Sequence, residues 1–113
     1  MPIDRFAKNL ATGTYDLIIL DVLRGGPASG YEIRRRVFKR SSHTILWREG
    51  TLYHVLHHLE QQRLVTSSWR TPKTGRERRY YQLTPRGQRA WKKNRRQWDA
   101  FTGAVNALLR SRQ

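Results

Sequence analysis

The residues best suited to chemistry in this 113-residue chain lie in two neighbouring segments, 49–64 and 75–84. The first reads EGTLYHVLHHLEQQRL, and the second, GRERRYYQLT, places arginines behind a glycine. The polar side of the first segment carries Thr51, Tyr53, His54 and His57. Hydroxyl and imidazole groups can bond base edges in a DNA groove, and guanidinium groups bind phosphate. The two segments together therefore indicate a reader of nucleic acid.

The other polar residues offer little for catalysis or metal binding. His54 and His58 stand four residues apart on one predicted helix, but the chain has no cysteine, and no carboxylate motif completes a tetrahedral site. The eight carboxylates are scattered, without the clustering that two-metal phosphodiester cleavage requires. No Ser/His/Asp or Cys/His arrangement stands out. We therefore expect no enzymatic activity, no metal and no cofactor.

The charge balance indicates a polyanionic partner. Twenty-three Lys and Arg residues against eight Asp and Glu residues leave a net charge of +15, and self-repulsion on this scale favours binding to polyanions. The basic residues are spread over several elements, which favours nucleic acid over a membrane surface. No apolar stretch approaches the ~20 residues of a membrane span, and the N-terminus lacks the features of a signal peptide. We expect a cytoplasmic protein without a membrane partner.

Local signals divide the chain into helices and a hairpin. Gly25-Gly26-Pro27 ends an apolar helix, Ser29 to Glu32 matches a capping box, and Pro85 opens the last helix. The predicted elements are helices at 15–23, 30–40, 49–62 and 85–110, a β-prone run at 44–47, and strands at 65–69 and 79–83. In the second helix, the residues expected to be buried are Tyr31, Ile33, Val37 and Phe38.

The order of these elements is the winged helix-turn-helix topology, and the capping and turn signals at most junctions agree with it. The predicted fold class is mainly α with a small β-hairpin, here called the wing (residues 65–83). We expect residues 14–84 to form a winged helix-turn-helix DNA-binding domain and residues 85–113 to form a C-terminal dimerisation helix. Residues 1–13 are expected to be an N-terminal arm or a loosely attached helix.

Several motifs follow one another between about residues 15 and 90. They are Gly30-Tyr31-Glu32-Ile33, Glu49-Gly50-Thr51-Leu52-Tyr53 with Leu56 and Leu59, Leu64-Val65, and Gly75-Arg76 through Tyr80-Tyr81-x-Leu83-Thr84, with Gly87 downstream. In this order and spacing the chain resembles PadR-family transcriptional regulators, in particular the compact subgroup with a single C-terminal helix. The resemblance implies a homodimeric bacterial or archaeal repressor that binds a palindromic operator and is often released by a small molecule.

Two positions depart from the family pattern. Arg63 follows the third helix where the family favours glycine, so a non-glycine residue is expected to adopt a positive φ there. Arg48 stands where a serine-type helix cap is expected, which weakens the start of the third helix by ~1 kcal/mol. Neither departure threatens the fold, and Arg48 is a candidate for a phosphate contact instead.

The site residues follow from helix-turn-helix docking, in which the third helix enters the major groove and the preceding helix crosses the backbone. The candidates on the third helix are Arg48, Glu49, Thr51, Tyr53, His54 and His57. The candidates for phosphate are Lys73, Arg76, Arg78 and Arg79 of the wing with Arg34 and Arg35 of the second helix. Because strand side chains alternate, one of Arg78 and Arg79 is expected to meet phosphate and the other the helix behind it. The alternative is a solvated face, and Tyr53 is also a candidate phosphate anchor or partial core residue.

The last helix carries an aromatic heptad. Its first positions are Trp91, Trp98 and Val105, and its fourth positions are Asn94, Phe101 and Leu108. Dimerisation through this stripe is the prediction, and packing against the first helix of the same chain is the alternative. Trp91, Trp98 and Phe101 are also candidates for a cavity that holds a small aromatic effector, unless they only fill the interface core.

The sequence therefore predicts a homodimeric, sequence-specific repressor that binds double-stranded DNA with a palindromic operator. The alternative is an architectural or RNA-binding winged-helix protein without sequence preference. The aromatic heptad and the mostly uncharged polar face of the third helix favour the repressor, because an architectural protein needs neither.

Overall fold

The computed structural model describes residues 14–73 and 75–111 of the chain. Its helices are α1 (Tyr15–Leu23), α2 (Gly30–Arg40), α3 (Glu49–Gln61) and α4 (Pro85–Arg110). Its strands are β1 (Ala28–Ser29), β2 (Val65–Arg70) and β3 (Arg78–Leu83). The predicted fold class, mainly α with a small β-hairpin, is confirmed. The predicted N-terminal arm, residues 1–13, lies outside the described residues.

Strand β3 is the centre of an antiparallel three-stranded sheet with the order β1-β3-β2. Strands β2 and β3 form the predicted wing hairpin and pair along their full length, with Trp69 opposite Arg79. Strand β1 pairs with Tyr80 and Tyr81 on the other edge. The sequence prediction missed β1 because a two-residue strand is too short to show any alternation of apolar and polar residues.

The predicted β-prone run at 44–47 forms no strand, so this part of the prediction was wrong. Trp47 is buried, and its ring meets the Tyr15 ring of α1 edge-on with the centroids 4.9 Å apart. The Trp47 carbonyl oxygen accepts a hydrogen bond of 2.7 Å from Arg34 Nε. Side-chain packing and this bond fix the run, and they override its β propensity.

The core lies between α1, α2, α3 and the sheet. Ile19 and Leu20 of α1 have no accessible surface, which agrees with a helix that is apolar nearly all round. The other core helices contribute Ile33, Val37, Leu52, Leu56 and Leu59. Tyr31 was also predicted to be buried, and this was wrong because its side chain is 55% exposed and lies under Arg78 of the wing.

The ends of α2 and α3 follow their local sequence. The predicted capping box is present, because the Ser29 side chain accepts a hydrogen bond from the backbone N–H of Glu32 and the Glu32 carboxylate accepts one from the backbone N–H of Ser29. Arg48 stands at the N-cap of α3 and makes no capping hydrogen bond. Arg63, after α3, has a φ of 62°. A positive φ was predicted here because the family pattern favours glycine at this position.

Helix α4 is anchored to the start of β2 by a close backbone approach. Thr84 caps α4 through a hydrogen bond of 2.9 Å from the Gly87 N–H to its hydroxyl. The Thr84 hydroxyl donates to the Arg63 carbonyl oxygen at 2.7 Å, and the Thr84 N–H donates to the Leu64 carbonyl oxygen at 3.1 Å. A Cβ atom at Gly87 would lie only 2.0 Å from that same oxygen. The absence of a side chain at Gly87 therefore lets α4 leave the sheet at this position.

Candidate DNA-binding surface and helix α4

Helix α3 turns one side to the core and the other to solvent. Its leucine stripe is inaccessible to solvent, whereas the opposite side is exposed or half-buried and is here called the reading face. The reading face consists of Thr51, Tyr53, His54 and His57. Arg48 and Glu49, at the start of the helix, are also exposed. The six candidates on α3 therefore lie on accessible surface, and their donors and acceptors are uncharged except at the helix start.

Tyr53 lies against the first turn of α2. A Cβ atom built at Gly30 would lie 2.7 Å from the Tyr53 hydroxyl oxygen and 2.8 Å from its ring, so the tyrosine occupies the space that a larger residue would need. Tyr53 nevertheless keeps 41% of its surface exposed. Its hydroxyl is consequently held at the N-terminal end of α2, which the Ser29–Glu32 capping box occupies. Tyr53 is therefore partly packed and partly accessible, and it stays a candidate for a base or a phosphate contact.

Some arginines of α2 make contacts within the protein, and others are exposed to solvent. Arg34 is half-buried and uses its Nε for the hydrogen bond to the Trp47 carbonyl, so it holds the segment that leads into α3. Arg35 is exposed. Arg36 forms an ion pair of 3.5 Å with Glu32 on the same helix. Of the two candidates predicted on α2, Arg35 is therefore the one whose side chain is fully on the surface.

Arg78 and Arg79 are adjacent on β3 and contact different partners, as the alternation of strand side chains predicted. The Arg78 guanidinium lies over the ring of Tyr31, 4.9 Å from its centroid. Arg79 forms an ion pair of 3.2 Å with Glu60 of α3 and donates a hydrogen bond of 2.9 Å to the Ser67 hydroxyl. Arg79 is thus the residue that contacts the helix behind the wing.

The wing and the N-terminal half of α3 enclose an open groove of about 520 Å³, here called the wing groove. It is lined by Ser29, Tyr31, Glu49, Tyr53, Trp69, Arg76, Glu77, Arg78, Arg79 and Tyr81. Lys73 and Arg76 are exposed in the loop between the wing strands. Burial raises the pKa of the Tyr81 hydroxyl, and the charge of neighbouring Arg79 offsets part of this shift.

The aromatic heptad of α4 divides between two environments. Trp91 packs on α1 of its own chain, where its indole N–H donates to Asp21 at 3.0 Å and Arg24 covers its ring at 3.6 Å. Trp98 is 39% exposed, Phe101 58% and Leu108 74%, and Val105 is half-buried. Trp91 thus has the intrachain contact that was the alternative interpretation. The later residues of the stripe remain on the surface.

A second groove of about 340 Å³ lies between α1, α2 and the middle of α4. Its aliphatic side is formed by Ile18, Val22, Val37 and Ile45, and its aromatic side by Trp91 and Trp98. The predicted effector residues Trp91 and Trp98 therefore line the same groove. Phe101 does not line it and lies farther along α4.

The described residues show neither a membrane-spanning helix nor a metal-binding cluster. Within 14–73 and 75–111, no helix is long and apolar enough to cross a membrane. The same residues contain no group of three or more histidine or acidic side chains placed to hold a metal ion.

The sequence reasoning did not identify three side chains of this surface: Tyr31, Glu60 and Trp69. Tyr31 was assigned to the core because its neighbours in α2 are apolar. Glu60 gave no signal, because its partner Arg79 is 19 residues away along the chain. Trp69 belongs to a strand face that begins with buried Val65, and the alternation of strand residues gives no sign that this face becomes exposed at its far end.

Helices α2 and α3, joined by a turn and followed by the β2–β3 hairpin, define a winged helix-turn-helix protein. The sequence profile described as the transcriptional regulator PadR-like family matches residues 19–93. The chain therefore belongs to the PadR-like family of transcriptional regulators. Comparison with curated protein sequences gave no match.

Solved structures of the family are similar over most of the chain. A transcriptional regulator from Clostridium thermocellum has 27% identity and a TM-score of 0.81, with 88% of this chain and 96% of that one covered. A PadR family regulator from Eggerthella lenta has 30% identity and a TM-score of 0.79, with 95% and 91% covered. Bacillus subtilis PadR in complex with operator DNA has 24% identity and a TM-score of 0.62, with 69% and 44% covered.

Proposed function

We propose that this protein is a homodimeric repressor that binds a palindromic operator in double-stranded DNA and is released by a small hydrophobic, aromatic compound. The observation that carries the proposal is the reading face of α3. This face presents uncharged hydrogen-bonding groups to solvent, next to a basic wing, while the opposite stripe of the helix is fully buried. A helix with this division reads base edges while arginines beside it neutralise phosphates.

The DNA partner has support from charge and from similarity. The net charge of +15 requires a polyanionic partner or strong screening. The similar structure of Bacillus subtilis PadR is a complex with operator DNA. In this chain, Thr51, Tyr53 and His54 are the proposed base-reading residues. The proposed phosphate contacts are Arg35, Lys73, Arg76 and Arg78.

The homodimer has support from the second half of α4. Trp98, Phe101 and Leu108 expose large apolar surfaces on one stripe, which is unfavourable in water unless a partner covers them. A two-fold dimer through this stripe also supplies the two reading faces that a palindromic operator requires. We expect Trp98→Ala to weaken the dimer in sedimentation velocity. Arg96→Ala lies ~200° around the helix from Trp98 and serves as the control that leaves the dimer intact. An unchanged dimer in Trp98→Ala would contradict the interface.

The effector site has support from the groove between α1, α2 and α4. Its volume of about 340 Å³ and its indole-lined wall suit a flat apolar compound of modest size. A titration of tryptophan fluorescence with a panel of planar aromatic compounds tests this part of the proposal. Quenching in the wild type that is lost in Trp98→Leu is the expected result. No quenching across the panel would contradict effector binding at Trp98.

Selection of bound sequences from a random duplex pool tests the function as a whole. The expected product is an inverted repeat whose half-sites lie about one helical turn apart, ~10 base pairs or a multiple of it. Affinity for the selected duplex is expected to exceed that for random duplex by about a thousandfold or more at physiological salt. Equal affinity for the two duplexes would instead identify an architectural or RNA-binding protein.

A further inference from the structure

Trp69 of β2 is exposed to an extent that the fold does not require. The side chain is 62% exposed, although it shares a strand face with buried Val65 and half-buried Ser67. Among the other tryptophans, Trp47 is buried and Trp91 is held by α1. An exposed indole costs free energy in water and is typical of a surface that binds a partner.

The position of Trp69 limits what this partner is. The indole lines the wing groove together with Glu49 and Tyr53, so it borders the same space as the start of the reading face. A second copy of this chain already has a proposed contact surface on α4, at the exposed Trp98, Phe101 and Leu108, so dimerisation does not account for Trp69. A duplex whose major groove receives α3 passes directly beside this space, since the wing flanks the recognition helix in the same domain.

The charges in the wing groove are nearly balanced around the indole. Glu49 and Glu77 oppose Arg76 and Arg78, and Arg79 is paired with Glu60. Basic residues outside the groove, including the exposed Arg48 and Arg70, add to the phosphate attraction of Arg76 and Arg78. An apolar ring in a locally neutral groove fits an uncharged part of the DNA backbone, namely the deoxyribose between two phosphates.

Arg79 connects the indole to α3. Its guanidinium lies 6.0 Å from the Trp69 ring centroid and 5.9 Å from that of Tyr81. The same group is held by Glu60 at 3.2 Å and by the Ser67 hydroxyl at 2.9 Å, and Ser67 in turn donates to Glu60. Five side chains thus form one connected cluster, which joins the outer part of β2 to the last turns of α3.

We propose that Trp69 contacts DNA by packing against a deoxyribose of the duplex that the reading face engages, and that Glu60 is its positioning residue. Glu60 acts through Arg79, which fixes the indole relative to α3. This inference rests on the proposed function, because the duplex is the one that α3 binds. It adds an apolar contact to the wing and gives Arg79 a role within the protein instead of at a phosphate.

The first experiment separates an apolar contact from an ionic one. The probe is the duplex selected from the random pool, and the variants are Trp69→Ala and Trp69→Phe. Trp69→Ala is expected to lose about tenfold in affinity, as for other aromatic residues at interfaces. The slope of log K against log salt is expected to stay the same, because no phosphate contact is removed. Trp69→Phe is expected to retain most of the affinity. Unchanged affinity in Trp69→Ala, or a shallower salt slope, would overturn the contact.

The second experiment tests the positioning residue against a matched change in charge. Glu60→Gln and Glu77→Gln each remove one negative charge from the wing groove or its border. Glu77 has no ion pair among the described residues. If charge alone mattered, both variants would bind duplex more tightly. We expect Glu77→Gln to bind as well as or better than the wild type and Glu60→Gln to bind the selected duplex several-fold more weakly. Equal tightening in both variants would overturn the role of Glu60.

Acrylamide quenching reports directly on the indole. In the wild type, the selected duplex is expected to protect part of the tryptophan emission, and Trp69→Phe is expected to lose that part. Glu60→Gln is expected to reduce the protection while its thermal unfolding remains close to that of Glu77→Gln. If the wild type prefers no duplex sequence, the proposed function fails and this inference fails with it. If the wild type binds its duplex and no emission is protected, only the inference about Trp69 fails.

Discussion

Replacing Gly87 with alanine is expected to destabilise the domain, although the same change stabilises an ordinary helix position by ~1 kcal/mol. A Cβ atom at Gly87 would lie 2.0 Å from the Leu64 carbonyl oxygen and 3.0 Å from a Leu83 methyl group. A carbon atom and a carbonyl oxygen normally stay ~3.3 Å apart or more. Helix α4 and the chain at Leu64 would therefore have to separate by more than about 1 Å.

This separation would stretch hydrogen bonds that already join the two backbone segments. The Leu64 oxygen accepts a hydrogen bond from the Thr84 N–H, and the Thr84 hydroxyl accepts from the Gly87 N–H while it donates to the Arg63 carbonyl oxygen. Weakening one or two of these bonds costs ~1 kcal/mol each. The strain of an added methyl group costs a further ~1–3 kcal/mol. After subtraction of the gain in helix propensity, the net loss in the free energy of unfolding is ~1–4 kcal/mol.

Urea unfolding followed by circular dichroism at one fixed protein concentration measures this loss. Gly103→Ala is the matched control, because Gly103 lies in the same helix and an added Cβ there would meet no atom within 4 Å. The control is expected to gain ~0.5–1 kcal/mol. If Gly87→Ala unfolded at the same urea concentration as the wild type or a higher one, the argument from the Leu64 contact would be refuted.

Four further substitutions test other parts of the molecule. His54→Ala is expected to reduce the preference for selected over random duplex. Arg76→Ala should weaken binding to both duplexes and reduce the slope of log K against log salt by ~0.9. An unaltered preference in His54→Ala would exclude base reading by this residue. Arg63 adopts a positive φ of 62°, which is strained for a non-glycine residue. Arg63→Gly should therefore raise the urea midpoint by an amount equivalent to ~0.5–1 kcal/mol. A lower midpoint would show that no strain is stored there. Burial raises the pKa of Tyr81, so the folded state keeps its proton above the usual value of 10.0 and loses stability as the pH rises past 10.0. Unfolding measured from below to above that pH should show a smaller loss in Tyr81→Phe, and an identical loss would argue against this assignment.

The helices were predictable from the sequence because their signals are local. The capping box at Ser29, the glycines after α1 and the leucine spacing of α3 act within one or two turns, and each predicted helix exists with nearly its expected bounds. The wing was predictable for the same reason, since its two strands are joined by a loop with proline and glycine. What failed depends on tertiary packing. The run at 44–47 became irregular because Trp47 packs on α1 and bonds Arg34.

The surface was less predictable than the fold. The residues that the sequence selected on α3 and the wing are accessible, because helical and strand periodicity already separate buried from exposed positions. Periodicity gives no information about pairs that are distant in sequence. The Asp21–Trp91 hydrogen bond joins residues 70 positions apart, and it placed one aromatic residue of the heptad on its own domain. The bond between Glu60 and Arg79 likewise changed Arg79 from a candidate phosphate contact to a link within the protein.

The anchored base of α4 makes this helix a lever arm. Its 26 residues span ~39 Å, and the described molecule measures 60 × 36 × 22 Å, so the far end of α4 extends well beyond the core. A tilt of one degree at the Gly87 contact moves that end by about 0.7 Å, given the helical rise. In the proposed dimer, the two levers join at their far halves, and small tilts at their bases would change the separation of the two reading faces by several ångströms. The stiffness of one glycine contact would then set the tolerance of the protein for operators of different half-site spacing.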